Sequence, residues 1–457
     1  MRRPFLVSLL HGWVVIAVQV VAAAVLLAAI GRRSPRWLLL WLPIAVIVGG
    51  ICAGLTFWFI HNQGLSEDPA PATFWVWIVG LGAAIIVLIF GWRGAGWPRR
   101  IAAFVAVPLC LLCVALALNT WTGYFPTVQS AWDRITGTES PRFIDQATLA
   151  DMQRRGVRPT QGVVVKVTTP DAASGFQHRQ EYVYLPPAWF ATSPPPQLPA
   201  VMMFGGQFGR PDDWLRSADA LATLDDFTAR HYGNAPVFVF PDVGGTFSTD
   251  TECVNGPRGN AADHLIKDVV PYVISTFGVS PKAENWGVAG WSSGGTCAVM
   301  LAVMHPDVFS AIVSVDGQLG PNAGTREQTI ARLFGGDAAA WEEFDPRSAI
   351  IRHGPYTGMS AWFAVSSDTT DEYRPGEHAD APPTTPAEWD TNSENHADIA
   401  HALCSLVSSY GIECAVVKTH ASHDFQGAGD AFADALPWLA GKLGTPGVRP
   451  IPMPGAK

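Results

Sequence analysis

Hydrophobic and polar positions divide this chain into two regimes. Up to about residue 120 the apolar pattern is continuous. Gly12 to Ile30, Trp37 to Ile60, Phe74 to Trp92 and Ile101 to Thr120 are four runs, each near the roughly 20 residues that cross a bilayer as a helix. Beyond residue 160, short apolar runs alternate with segments of helical length. Gly162 to Thr168 and Gln180 to Leu185 alternate with period two and read as a strand pair. Leu198 to Phe204 and Val237 to Phe240 are apolar throughout, as suits strands buried on both faces of a parallel sheet. Trp286 to Ala289, Ser310 to Val315, Ala361 to Val365 and Glu413 to Lys418 read as further strands. Helices are expected at Trp214 to His231, His264 to Phe277, Thr296 to Met304, Asn395 to Tyr410 and Gln426 to Leu443, with a short one near Asp145 to Arg155. The stretch Pro321 to Arg352 reads as a helical insertion and a candidate cap. This alternation predicts an α/β fold, with a mostly parallel sheet covered on both faces. The expected division is a four-helix membrane region (1–120), a tether (121–160), a globular domain (161–445) and a tail (446–457).

Composition sharpens the membrane reading. Hydrophobic residues make up 48% and charged residues 15%, greasy for a soluble protein, and the excess lies in the first 120 residues. The first run is too long for a signal-peptide core and no small-residue cleavage site follows it, so it is expected to be retained. Arg32, Arg33 and Arg36 mark the first loop as cytoplasmic, and Arg93, Arg99 and Arg100 mark the third. The loop between them, His61 to Thr73, has Glu67 and Asp68 and no Lys or Arg. Arg2 and Arg3 oppose this orientation mildly. Four spans then deliver everything after Thr120 to the extracytoplasmic side. Tryptophans 37, 41, 58, 75, 77, 92, 97 and 121 cluster at span ends, as interfacial belts do. The spans carry almost no ionisable group, which favours an anchor over a transporter. A net charge of −9 argues against a nucleic-acid partner, and no protein partner is implied.

Candidate chemistry centres on Gly290-Trp291-Ser292-Ser293-Gly294. A strand-like segment precedes it and an apolar helix follows, the context of a nucleophile elbow. Such a turn strains the serine backbone, crowds out side chains two positions away, and presents the hydroxyl at a helix N-terminus. A serine nucleophile needs a base, an orienting acid and oxyanion donors. His423, in the loop after the Glu413–Lys418 strand, is the expected base, with His420 its competitor. A His-x-x-His metal pair finds no third ligand nearby, so neither metal nor cofactor is expected. The acid is expected in the loop after Ala361–Val365: Asp368 first, then Asp371 or Glu372, with Asp316 a weaker rival. The oxyanion donors are expected to be the amide of Ser293 and that of Gln207, or of Gly206, in the glycine-rich loop after Phe204. Cys253, Cys297, Cys404 and Cys414 are an even four, compatible with two disulfides in an oxidising compartment. Pairing 253 with 297 and 404 with 414 is the simplest of three connectivities.

The segment from about residue 160 to 443 resembles the esterase D/mycolyltransferase branch of the serine α/β-hydrolases. The resemblance lies in Gly290-Trp291-Ser292-Ser293-Gly294-Gly295, His305-Pro306-Asp307-Val308-Phe309 and Ser422-His423-Asp424-Phe425. The chain is also similar to actinobacterial membrane-anchored esterases. The resemblance implies the α/β-hydrolase fold, Ser292 as nucleophile and His423 as base. Asp368 matches the esterase pattern of acid placement and Glu372 the mycolyltransferase one. A departure is Phe204-Gly205-Gly206, where many relatives carry His-Gly; the donor there is a backbone group. The expectation is an extracytoplasmic, membrane-anchored serine esterase acting on an ester, with a lipid or envelope acyl ester in view. Its rivals are an acyltransferase to a sugar or lipid alcohol, and a non-catalytic envelope-binding protein that keeps the fold.

Overall fold

A computed structural model describes residues 7–31, 34–65, 70–93, 95–138, 142–246, 248–366, 395–419 and 422–455. The chain forms two compact units, Met1–Thr138 and Glu139–Lys457. Among the described residues of the first, four helices are long and apolar enough to cross a membrane: α1 (Trp13–Ile30), α2 (Trp37–Gln63), α3 (Ala72–Gly91) and α4 (Trp97–Thr122). α1 packs on α4, and α3 packs on both α2 and α4. A further helix, α5 (Val128–Thr136), was not legible as one. Its nine residues are capped by reciprocal Thr127–Ser130 bonds and closed by left-handed Gly137, signals that a short polar segment shows only once the cap geometry is visible.

The described residues of the second unit form a sheet of nine strands. Its strands in chain order are β1 (Phe143–Ile144), β2 (Val163–Val167), β3 (Glu181–Leu185), β4 (Ala200–Phe204), β5 (Val237–Phe240), β6 (Trp286–Trp291), β7 (Ala311–Val315), β8 (Ser360–Ser366) and β9 (Glu413–Thr419). They lie in the order β1-β2-β3-β5-β4-β6-β7-β8-β9. β3 runs antiparallel to β2 and β5, and all other pairs are parallel. The stretch read as a tether thus supplies edge strand β1 and the helix Gln146–Arg154.

Every residue of β3 to β7 is buried, which explains the unbroken apolar runs of β4 and β5; in β3, read as alternating, both faces are covered. Val237 and Val239 join a core with Cys297 to Val303 of the helix after β6. Phe238 points the other way, edge-on to Phe432 of the last helix, Phe425–Lys442. The segment Trp214 to His231 is two helices, Asp213–Arg216 and Ala220–Arg230, because Asp219 between them is left-handed at φ 53°. The insertion after Pro321 forms helices Arg326–Phe334, Ala338–Phe344 and Pro346–His353. Their Leu333, Phe334, Trp341, Phe344 and Ile350 enter the main core, and the third packs on the helix after β6. These contacts make the insertion part of the core packing.

Candidate active site

The register of the parallel strands builds the site. Phe204 pairs with Gly290, Trp291 with Val315, Val315 with Ala364, and Ser366 with Thr419. The C-terminal ends of β4, β6, β7, β8 and β9 therefore finish side by side, and the residues just beyond them converge.

Ser292 stands between β6 and the elbow helix Ser293–Met304 at φ 57°, ψ −126°. That strained backbone is retained because its neighbours require it. A Cβ on Gly290 would collide with the Gly294 carbonyl oxygen, and one on Gly294 with that of Phe204. The Ser292 amide donates to Val315 O at 2.9 Å, binding the turn to β7.

His423 Nε2 lies 3.3 Å from Ser292 Oγ, and His423 Nδ1 lies 3.2 Å from Asp316 Oδ2. A carboxylate only accepts, so Nδ1 carries the proton and Nε2 keeps the lone pair facing the serine hydroxyl. The imidazole is packed against Trp291, centroids 5.1 Å apart, and lies parallel to His396 at 4.7 Å.

Asp316, 1% exposed, follows β7 directly. Its Oδ1 accepts from Ser366 N at 2.7 Å, and its Oδ2 accepts from the Ser366 hydroxyl as well as from His423. Burial pushes its carboxyl up, but the His423 bond, the His423 and His396 charges and the Ser366 bond outweigh this and hold it below the ordinary carboxylate range. The acid at His423 is thus the residue ranked last from sequence. Asp368, Asp371, Glu372 and His420 lie outside the described residues. The sequence signal for Asp316 was a lone acid ending a mostly apolar strand, overshadowed by the three acids after β8.

On the other side of Ser292, the loop after β4 approaches closely. A Cβ on Gly206 would sit 3.4 Å from Ser292 Cβ and 3.1 Å from the Trp291 ring. The loop is a tight turn, with Gly209 N donating to Gly206 O and Phe208 left-handed at φ 59°. Arg179 Nη2 donates to Gly209 O at 2.9 Å, and fully buried Asp242 grips the Arg179 guanidinium with bonds of 2.6 to 3.1 Å. Neither the Gln207 nor the Ser293 amide has a backbone partner among the described residues. A small cavity beside them is lined by Gly206, Gln207, Asp250, Glu252, Ser293 and Arg179.

Cys253 joins Cys297 of the elbow helix, and Cys404 joins Cys414 of β9. One further cluster, His178, Glu181 and His264, brings potential ligand atoms within 4.8 Å of one another. Both His178 nitrogens face carbonyl oxygens, Thr169 O at 2.9 Å and Arg179 O at 2.8 Å, so both carry protons. Burial pushes the His178 pKa down, but the Glu181 charge and these carbonyls raise it above its ordinary value. With a carbonyl oxygen at each ring nitrogen, His178 turns no lone pair towards the other two residues, and its ring is stacked on that of His264 at 4.6 Å. The cluster is a buried hydrogen-bonded network, with His264 Nε2 3.1 Å from Glu181 Oε1.

A serine, histidine and acid aligned at the C-terminal ends of parallel strands, beside a glycine-rich loop, define a serine hydrolase of α/β-hydrolase fold. Comparison with known proteins agrees. Residues 176–397 match the profile of a family described as "Putative esterase". An uncharacterized protein of Corynebacterium glutamicum is 31% identical over 365 residues, covering 78% of this chain and 83% of that one. The chain belongs to this esterase family. Among solved structures it is similar to a ferulic acid esterase (16% identity, 62% of this chain and 99% of that one, TM-score 0.45). An S-formylglutathione hydrolase from Agrobacterium tumefaciens is comparable (13% identity, 62% and 95%, TM-score 0.46).

Proposed function

We propose that the protein is a membrane-anchored serine esterase whose hydrolase unit faces outward from the cytoplasm, with Ser292, His423 and Asp316 as its triad. The observation that carries this is the unbroken chain from Ser292 Oγ through His423 to Asp316. His423 Nε2 takes the hydroxyl proton as Ser292 Oγ attacks the ester carbonyl carbon. The negative charge that develops on the carbonyl oxygen meets the amides of Ser293 and Gln207. Collapse expels the alcohol, which leaves with the proton from His423, and a covalent acyl-enzyme remains. Water then attacks under the same base, releasing the acid and restoring Ser292. Asp316 holds Nδ1–H and stabilises the imidazolium formed in each step. Four apolar helices, arginine-rich first and third loops and two disulfides in the hydrolase unit support the outward placement. An anchor of this kind directs the site towards lipid or cell-envelope esters.

One experiment tests both parts. Intact cells expressing wild type or Ser292→Ala are treated with a membrane-impermeant fluorophosphonate probe, and lysed cells are treated in parallel. The expected result is labelling of wild type in intact cells and none of Ser292→Ala. Labelling only after lysis would refute the topology and leave the nucleophile standing. Equal labelling of Ser292→Ala, or none of wild type, would refute the nucleophile.

A further inference from the structure

The stretch Asp250 to Cys253 carries features that the triad does not use. Glu252 and Cys253 are both left-handed, at φ 48° and 55°. The Asp250 and Glu252 carboxyls are buried two residues apart, with the Glu252 amide donating to Asp250 Oδ1. Burial pushes both upward, and for Glu252 the Asp250 charge adds to it. Strain and like-charged groups buried together are retained where surrounding structure enforces them, and they concentrate at functional sites.

Their connections show what they join. Gln207 Nε2 donates to Asp250 Oδ2 at 2.7 Å. Asp250 is itself held: Oδ1 accepts from Glu252 N at 3.2 Å, and its carbonyl accepts from Arg258 Nη1 at 2.6 Å. Glu252 Oε2 accepts from Asn322 N at 3.3 Å. Cys253 is bonded covalently to Cys297, four residues into the helix that Ser293 begins. One short segment therefore grips the loop after β4 through a side chain and the elbow helix through a disulfide. The two amides assigned to the oxyanion sit on those two bodies.

We propose that Asp250 is a positioning residue of the oxyanion hole: through the Gln207 side chain it fixes the Gln207 amide relative to the Ser293 amide. This rests on the reading of Gln207 N–H as an oxyanion donor. The donor is a backbone group, so truncating the Gln207 side chain leaves it in place and removes only its tether.

The test is steady-state kinetics on the detergent-solubilised full chain with a p-nitrophenyl ester, comparing Gln207→Ala, Asp250→Ala, the double variant and Asp250→Asn. Each alanine variant is expected to lower kcat about tenfold with KM little changed, since a misplaced donor weakens transition-state binding alone. The double variant should be no worse than the poorer single, because both remove one tether. In Asp250→Asn the side-chain oxygen stays on Glu252 N and the NH2 group faces Gln207, whose side-chain amide turns over to present its oxygen, so the tether re-forms and most of the loss should be recovered. Additive losses, a loss confined to KM, or a Gln207→Ala variant with wild-type kcat would overturn the proposal. Gln207→Ala decides the matter alone if Asp250→Ala does not fold. Fluorophosphonate labelling of the same samples separates the two readings. An unlabelled, inactive wild type fails as a serine hydrolase, whereas an active, labelled wild type indifferent to Gln207→Ala fails only as regards the tether.

Discussion

Replacing Asp316 by asparagine changes two atoms' roles and little volume, and the site's hydrogen bonds dictate the outcome. Ser366 N–H donates to Asp316 Oδ1 at 2.7 Å, and an amide N–H faces only an acceptor, so the oxygen of the substituted side chain must stay there. The NH2 group is then forced into the place of Oδ2, pointing a donor at His423 Nδ1. Nδ1 must become the acceptor and the ring proton moves to Nε2, which faces Ser292 Oγ at 3.3 Å. A protonated Nε2 cannot take the serine proton. In serine hydrolases this tautomer error costs about 10⁴-fold in kcat, or about 5.4 kcal/mol of barrier. We therefore expect Asp316→Asn to lower kcat for a p-nitrophenyl ester by about 10³ to 10⁴. Its Tm should stay close to wild type, and fluorophosphonate labelling should slow in parallel. Asp368→Asn, Asp371→Asn and Glu372→Gln are expected to lose less than about tenfold, because Asp316 already serves His423 Nδ1. If Asp316→Asn loses less than tenfold while one of these three falls by about 10³, the assignment of the acid is refuted.

Two further predictions concern stability. Sequence separations of 44 for Cys253–Cys297 and 10 for Cys404–Cys414 correspond on the chain-entropy account to about 4 and about 2.7 kcal/mol. Removing the first pair as Cys253→Ser/Cys297→Ser should therefore depress the Tm more than Cys404→Ser/Cys414→Ser; the reverse order in thermal melts would contradict the account. The Asp250–Glu252 pair should weaken the fold as pH rises. An acid whose folded-state pKa is raised, here by burial first and then by its neighbour's charge, stabilises fully below the ordinary carboxyl range. That contribution is lost as pH climbs through the raised value, at up to about 1.4 kcal/mol per pH unit for each proton involved. Glu252→Gln keeps an acceptor for Asn322 N and cannot ionise, so its Tm should fall less than that of wild type as pH rises above the ordinary carboxyl range. Parallel Tm–pH curves would show that the pair does not titrate as described.

The features legible in the chain alone are local ones. Four continuous apolar runs are long enough to be helices that satisfy their own backbone in a bilayer, and no distant contact is needed to read them. Ser292 was legible because an elbow writes its steric demands into adjacent positions, glycine before and after, strand then helix. His423 followed as the farther of two histidines past the last strand of the sheet, where the loop has room to turn back over Ser292. The left-handed break at Asp219 and the capped helix α5 escaped because a single backbone angle leaves no periodic trace. The acid at the base was decided in three dimensions. In sequence the loop after β8 offered three carboxyls and the end of β7 one, and proximity to a strand end ranked Asp368 first and Asp316 last. In space, Val315 pairs with both Trp291 and Ala364. That register places Asp316 beside Ser292, within reach of the Ser366 donors and His423. The grip of Asp250 on Gln207, across 43 residues, is equally invisible in the chain. Such contacts depend on which strand ends become neighbours, and the packing of the whole sheet sets that.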